Sequence, residues 1–199
     1  MIWRIDLPEA GCEPTAQVWL KHPSMDSDPN GPDWTQPGVN GLKFHARENR
    51  LYYTSTVKQL FMRVAADPDT HEAVGEAEFV SGGRMADDFL IDPNSPVAYL
   101  TTHRQNSIDR VPLDPAENRD FARNSVAAYP PNELVIGPSA GAWGRGSGEE
   151  GRVAYFLTDG GTKSPPKQGP QTAKLLRVEF QPFGPTHSRT AQIKNFAQI

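Results

Sequence analysis

The sequence predicts an all-β fold assembled from repeated four-stranded antiparallel units, and three observations predict it. First, 19 prolines and 17 glycines among 199 residues make up nearly a fifth of the chain, against roughly 12% in average usage. Neither residue suits a helix interior, and both are spread along the whole length. Second, hydrophobic content is a lean 37%, yet 9 Phe, 5 Tyr and 4 Trp remain to build cores between short strands. Third, short motifs recur in a fixed order, with anchor residues 47 and 52 positions apart.

Those motifs are three. One pairs an Arg with Ile or Val: Trp3-Arg4-Ile5, Met62-Arg63-Val64, Asp109-Arg110-Val111 and Leu176-Arg177-Val178. A second precedes three of them: Leu51-Tyr52-Tyr53-Thr54, Ala98-Tyr99-Leu100-Thr101 and Tyr155-Phe156-Leu157-Thr158. A third lies earlier again, around Phe44, Ile91 and Trp143. Phe44 to Thr54 and Ile91 to Thr101 are both 10 residues; Trp143 to Thr158 is 15, the excess being a turn-rich insertion at 144–151. Several short strands per unit at this period are the signature of β-propeller blades.

Each element follows from that order. The chain opens in mid-blade, with a third strand at Trp3-Arg4-Ile5 and a fourth at 17–20. The next unit has strands A around Phe44, B around Tyr53, C around Arg63 and D over 73–79. Its successor has them at 89–91, 97–101, 107–111 and 125–129, and the last unit at 140–143, 153–158, 175–180 and within 191–196. The expected count is 14 strands, three and a half blades in one propeller-like domain over 1–199. The partial blade covers 1–38 and the complete ones 39–80, 86–130 and 137–199. One window competes: Val57, Leu60, Phe61 and Val64 share a helical face. Its Arg-Val end recurs where no helical period exists, so the repeat favours a strand.

A net charge of −4 and an isoelectric point near 5.7 give no footprint for nucleic acid or an anionic membrane. No apolar run approaches the roughly 18 residues needed to span a bilayer. Charged residues interrupt the first 20 positions, so a signal peptide is not expected there. Cys12 is the only cysteine, which excludes an intrachain disulfide or a cysteine-based zinc cluster. The expectation is a soluble, cytoplasmic protein.

Repeat position locates a candidate site. Four residues before each strand-A anchor stand Asn40, Asp87 and Ser139. In a propeller the A strands line the central channel, and their first residues meet the B-to-C connections, here 55–58, 102–106 and 159–173, at one mouth. An amide oxygen, a carboxylate and a hydroxyl form a hard oxygen site suited to Ca²⁺, Mg²⁺ or Mn²⁺. Simpler roles stand beside this one. Asn40-Gly41 is a common turn dipeptide, Asp87-Asp88 could close an Asx turn, and Ser139 follows Gly137-Pro138 and could simply start a strand. His103 follows strand B directly and could be a hydrogen-bonding partner rather than a catalyst. The recurring arginines fit packing or loop pairing. His22, Asp26, Asp28 and Asp33 lie in a Pro/Asp-rich loop, either solvated or folded over the mouth as a lid.

These motifs resemble the regucalcin/gluconolactonase family, also called the senescence marker protein family. Asn40-Gly41-Leu42 before Leu51-Tyr52-Tyr53-Thr54-Ser55 carries the likeness, as does Asp87-Asp88-Phe89-Leu90-Ile91-Asp92 before Ala98-Tyr99-Leu100-Thr101-Thr102. Trp3-Arg4-Ile5-Asp6 and Gly137-Pro138-Ser139 fit too, over roughly residues 1–180, and fungal members are the most similar. The resemblance implies a six-bladed propeller with one divalent cation, Ca²⁺ first and Zn²⁺, Mg²⁺ or Mn²⁺ as alternatives. It implies metal-dependent hydrolysis of a lactone or ester, with Asn40 and Asp87 on the metal and Asp87 also activating water. His103, Arg104, Asn106 and Ser139 would border a small-molecule substrate. Fungal relatives in biosynthetic gene clusters include hetero-Diels–Alder catalysts, so a cyclase of secondary metabolism, or a non-catalytic assembly module, is the alternative.

Length departs from that family. Six four-stranded blades need about 24 strands, and the family's glutamate metal ligand lies in the part without a counterpart here. A half-ring leaves sheet edges and blade faces open. The expectation is therefore a homo-oligomer or a partner chain that completes the propeller.

Overall fold

The computed structural model describes residues 1–8, 12–27, 37–118, 124–127, 134–180 and 191–198, with side chains described for all but 118, 124–127 and 191–198. Asp28 and Asp33 of the expected lid lie outside the described residues. Strands dominate, with short 3-10 turns at Pro23–Met25 and Pro115–Asn118. Among the described residues no helix is long and apolar enough to cross a membrane.

Four antiparallel sheets follow one another along the chain. The first pairs β1 (Ile2–Asp6) with β2 (Thr15–Leu20). The second orders β3 (Val39–His45), β4 (Arg50–Ser55), β5 (Leu60–Ala66) and β6 (Ala73–Gly82). The third holds β7 (Ala86–Ile91), β8 (Val97–Thr102), β9 (Ser107–Pro112) and β10 (Asn124–Ala127). The fourth holds β11 (Pro138–Trp143), β12 (Val153–Thr158), β13 (Lys174–Phe180) and β14 (Ala191–Gln198). Among the described residues these make 14 strands of a partial β-propeller, two in the first blade and four in each of the others.

Turn chemistry explains the contested window. Gln59 adopts a left-handed backbone, φ 55°, and its N–H donates to the Thr56 carbonyl. That tight turn places Val57 outside the strand, and β5 begins at Leu60. The apparent helical face straddles a turn and a strand. In the next blade Asn106, φ 56°, closes the equivalent β8–β9 turn onto the Thr102 carbonyl.

Strand alternation sends one face of each sheet against the blade before and the other against the blade after. Tyr52 and Phe61 of the second blade therefore meet Phe89 of the third, with Phe61 edge-on to Phe89 at 5.0 Å. Tyr99 in turn meets Trp143 and Phe180 of the fourth blade, at 6.0 and 4.5 Å. Ile2 and Met25 cover Tyr53 and Met62 of the second blade. Fully burying each such side chain stabilises the fold by about 1.5–3 kcal/mol. Two of the recurring arginines also tie blades together. Arg4 reaches the Thr70 carbonyl and Glu72, and Arg63 reaches the Leu113 carbonyl. Strands β3, β7 and β11 consequently lie side by side, with β7 in the middle.

Candidate functional site

The site begins with a missing side chain. A Cβ on Gly41 would stand 2.8 Å from the Asp87 carbonyl oxygen and 2.8 Å from Asp88 Cα, so only glycine lets β3 approach β7 this closely. The gap is bridged from strand B. Gly41 N–H donates to the buried Thr54 hydroxyl at 2.8 Å, and that hydroxyl donates to the Asp87 carbonyl at 2.8 Å. One blade later Asp88 N–H donates to Thr101, whose hydroxyl is shared between the Asp88 carbonyl at 2.9 Å and, across the blades, the Ser139 carbonyl at 3.3 Å. The threonine that ends each of the first two B motifs is thus a repeated clasp between successive blades.

Held this way, Asn40 and Asp87 lie side by side. Asn40 Nδ2 donates to Asp87 Oδ1 at 2.9 Å and to the Thr56 hydroxyl at 3.2 Å. Burial pushes the Asp87 carboxyl up from its ordinary pKa. His103 and the Asn40 amide oppose that rise, while Asp159 and Asp88 add to it. Lys43 pairs with Asp88 at 2.9 Å across the same strands.

A second pair stands within electrostatic reach of Asp87. His103, 8% exposed in the β8–β9 turn, places Nε2 2.9 Å from Asp159 Oδ2. Asp159 follows β12 directly and also accepts from the Gly161 N–H at 2.8 Å and from the Thr162 hydroxyl. Partial burial opposes its ionisation, but those hydrogen bonds and His103 outweigh it and hold the carboxyl below the usual range. Gly137, at φ 68°, leaves the room this needs, since a Cβ there would overlap Asp159 Oδ1 at 1.9 Å.

The other sequence candidates point elsewhere. The Ser139 hydroxyl turns to the Leu157 carbonyl at 3.5 Å. Asn106 accepts the Gly137 N–H on its side-chain oxygen at 2.8 Å, tying the β8–β9 turn to the entry of β11. Arg104 is half-buried within that turn. His22 accepts the Ser24 N–H and caps the 3-10 turn. Asp159 and Thr56 were not among the candidates. For Asp159 a signal existed: it follows the third B-motif threonine, as Ser55 and Thr102 follow the first two.

For a divalent cation, the touching Asn40 and Asp87 side chains fit as one corner of a hard oxygen shell once the amide turns its oxygen inward. Among the described residues no three His, Cys, Asp or Glu side chains gather as a metal group. Water, substrate or other protein groups would complete the six to eight ligands that calcium takes.

No family model matches the chain, and no curated protein matches it. Solved structures do. A putative 6-phosphogluconolactonase from Bacteroides uniformis is similar at TM-score 0.54 and 14% identity, covering 85% of this chain and 46% of that one. A luciferin-regenerating enzyme is similar at TM-score 0.45 and 15% identity, over 80% of this chain and 46% of that one. The first likeness supports the class of fold alone, a β-propeller. This chain spans less than half the length of either protein.

Proposed function

We propose that this chain carries the amide–carboxylate and histidine–carboxylate part of a site that hydrolyses a small lactone or ester. The observation that supports the reading most is the Asn40–Asp87 pair at 2.9 Å with His103–Asp159 within electrostatic reach. Asn40 and Asp87 would hold a divalent cation, calcium first. When bound, such an ion polarises a carbonyl oxygen and favours the charge that develops on it. Asp87, the carboxylate beside the ion, takes the proton from the attacking water. Ionised Asp159 holds the shared proton on His103 Nε2, which leaves Nδ1 as the basic ring nitrogen. His103, Arg104, Asn106 and Ser139 border the substrate in this reading.

The test is hydrolysis of a panel of γ- and δ-lactones and aryl esters with calcium and with EDTA. The expected result is chelator-sensitive turnover that Asp87→Ala abolishes. Turnover that survives both treatments overturns the reading.

A further inference from the structure

The second and third blades each cover the inner strand of the blade that follows, and among the described residues β3 lacks such a cover. Leu42 and Phe44 on β3 are 40% and 48% exposed, whereas Phe89, at the repeat position of Leu42, is fully buried. The difference lies in what precedes each blade. Phe89 is covered by Tyr52 and Phe61, and Trp143, at the position of Phe44, is covered by Tyr99. Tyr52 and Tyr99 both stand two residues before the clasping threonine on strand B. Among the described residues β3 is preceded by the pair β1–β2, in which β1 is paired along one edge.

Between that pair and strands β3 and β4 lies a cavity of about 410 Å³, lined by Ile2, Trp3, Trp19, Leu42, Phe44 and Leu51 among others. Of its two polar lining residues, Arg4 and His71, Arg4 is already paired with Asp6 and Glu72. The slot therefore offers apolar surface and one strand edge, the two requirements of β-strand addition.

We infer that this slot docks a partner polypeptide presenting a two-stranded antiparallel hairpin, whose second strand carries an aromatic residue two places before a threonine. The surface continues the row of blade interfaces, and the two complete junctions show what fits it. The aromatic ring covers Phe44 as Tyr99 covers Trp143. The threonine hydroxyl reaches the Asn40 carbonyl as Thr54 reaches that of Asp87 and Thr101 that of Ser139. A second copy is a poor occupant: in the described residues every strand-B threonine already sits in a hairpin paired to its own strand C. The partner would also touch the backbone of a site residue, which makes docking and the geometry of the Asn40–Asp87 pair interdependent.

The probe is a synthetic peptide of residues 86–102, this chain's own complete A–B hairpin, closed by a disulfide between added terminal cysteines. Amide hydrogen exchange of the intact protein is followed at residues 2–6 with and without peptide, beside native mass spectrometry. The expected result is a 1:1 complex, at least tenfold slower exchange in β1, and at least tenfold weaker binding by Phe44→Lys. Phe44 is half-exposed, so the lysine leaves the fold intact. Unchanged exchange at millimolar peptide, equal binding by the Phe44→Lys variant, or a peptide-free dimer with β1 already protected each overturns the proposal. None of these outcomes depends on hydrolysis.

Discussion

His103 and Asp159, 56 residues apart in sequence, meet across two blades with Nε2 and Oδ2 2.9 Å apart. The Asp159 carboxyl is held below its usual pKa, so the folded state binds its proton less readily than the unfolded chain does. Its contribution to stability is complete above the unfolded value, about 4, and is lost as pH falls through the lower folded value. Urea unfolding from pH 2 to 7 checks this: Asp159→Asn should show a shallower loss of stability on the acid side than the native chain. If His103 acts as proposed, the same variant lowers kcat roughly 100-fold and shifts the pH profile, while Asp159→Glu recovers part of the rate.

Asp87 behaves in the opposite sense. Its pKa is raised in the fold, chiefly by burial, so its charge opposes folding at pH values above that raised pKa. Asp87→Asn is expected to match or exceed the native chain in metal-free thermal stability at pH 7. The difference should vanish once pH falls well below about 4, where both folded and unfolded carboxyls are protonated. A calcium-dependent rise in melting temperature, expected for a ligand that binds only the folded state, should disappear in the variant. Thermal melts with and without calcium measure both effects together.

Gly41 holds no group of its own in the site, yet the site depends on it. Gly41→Ala brings a methyl group to 2.8 Å from main-chain atoms of Asp87 and Asp88, where no flexible side chain can yield. The expected cost is about 1–3 kcal/mol, as for other overpacked positions. Cation affinity should fall more steeply than stability, because β3 and β7 must separate. Calorimetric titration beside denaturant unfolding distinguishes the two losses.

Thr54→Val keeps the shape of the side chain and deletes the hydroxyl that joins Gly41 N–H to the Asp87 carbonyl. Both backbone groups then lose a partner in a buried setting, for an expected loss of about 1–3 kcal/mol. Thr54→Ser should retain most of the stability. Urea unfolding of the two variants tests the hydroxyl separately from the methyl.

Blade order was legible because the same short motifs recur, and recurrence survives where single-window periodicity misleads. At Val57, Leu60, Phe61 and Val64 the helical spacing arises from a turn and a strand laid end to end, and only Gln59 in its left-handed conformation separates them. The Asn40–Asp87 adjacency was legible in the same way, as a shared offset from the strand-A anchors. Asp159 was harder to single out, because it opens a B-to-C connection much longer than its counterparts at 55–58 and 102–106, and the positions equivalent to it hold Ser55 and Thr102. The threonines were visible as motif ends, but their reach into the next blade depends on how sheets stack, which no linear spacing contains.

What those threonines grip has a wider consequence. Each clasp holds a main-chain carbonyl, at Asp87 and again at Ser139, and is indifferent to the side chain attached there. Those two carbonyls are thereby fixed stations at which a carboxylate or a hydroxyl can be mounted without redrawing the frame. Chemistry there is exchangeable by single substitutions at positions 87 and 139, while the stacking of the blades is specified elsewhere.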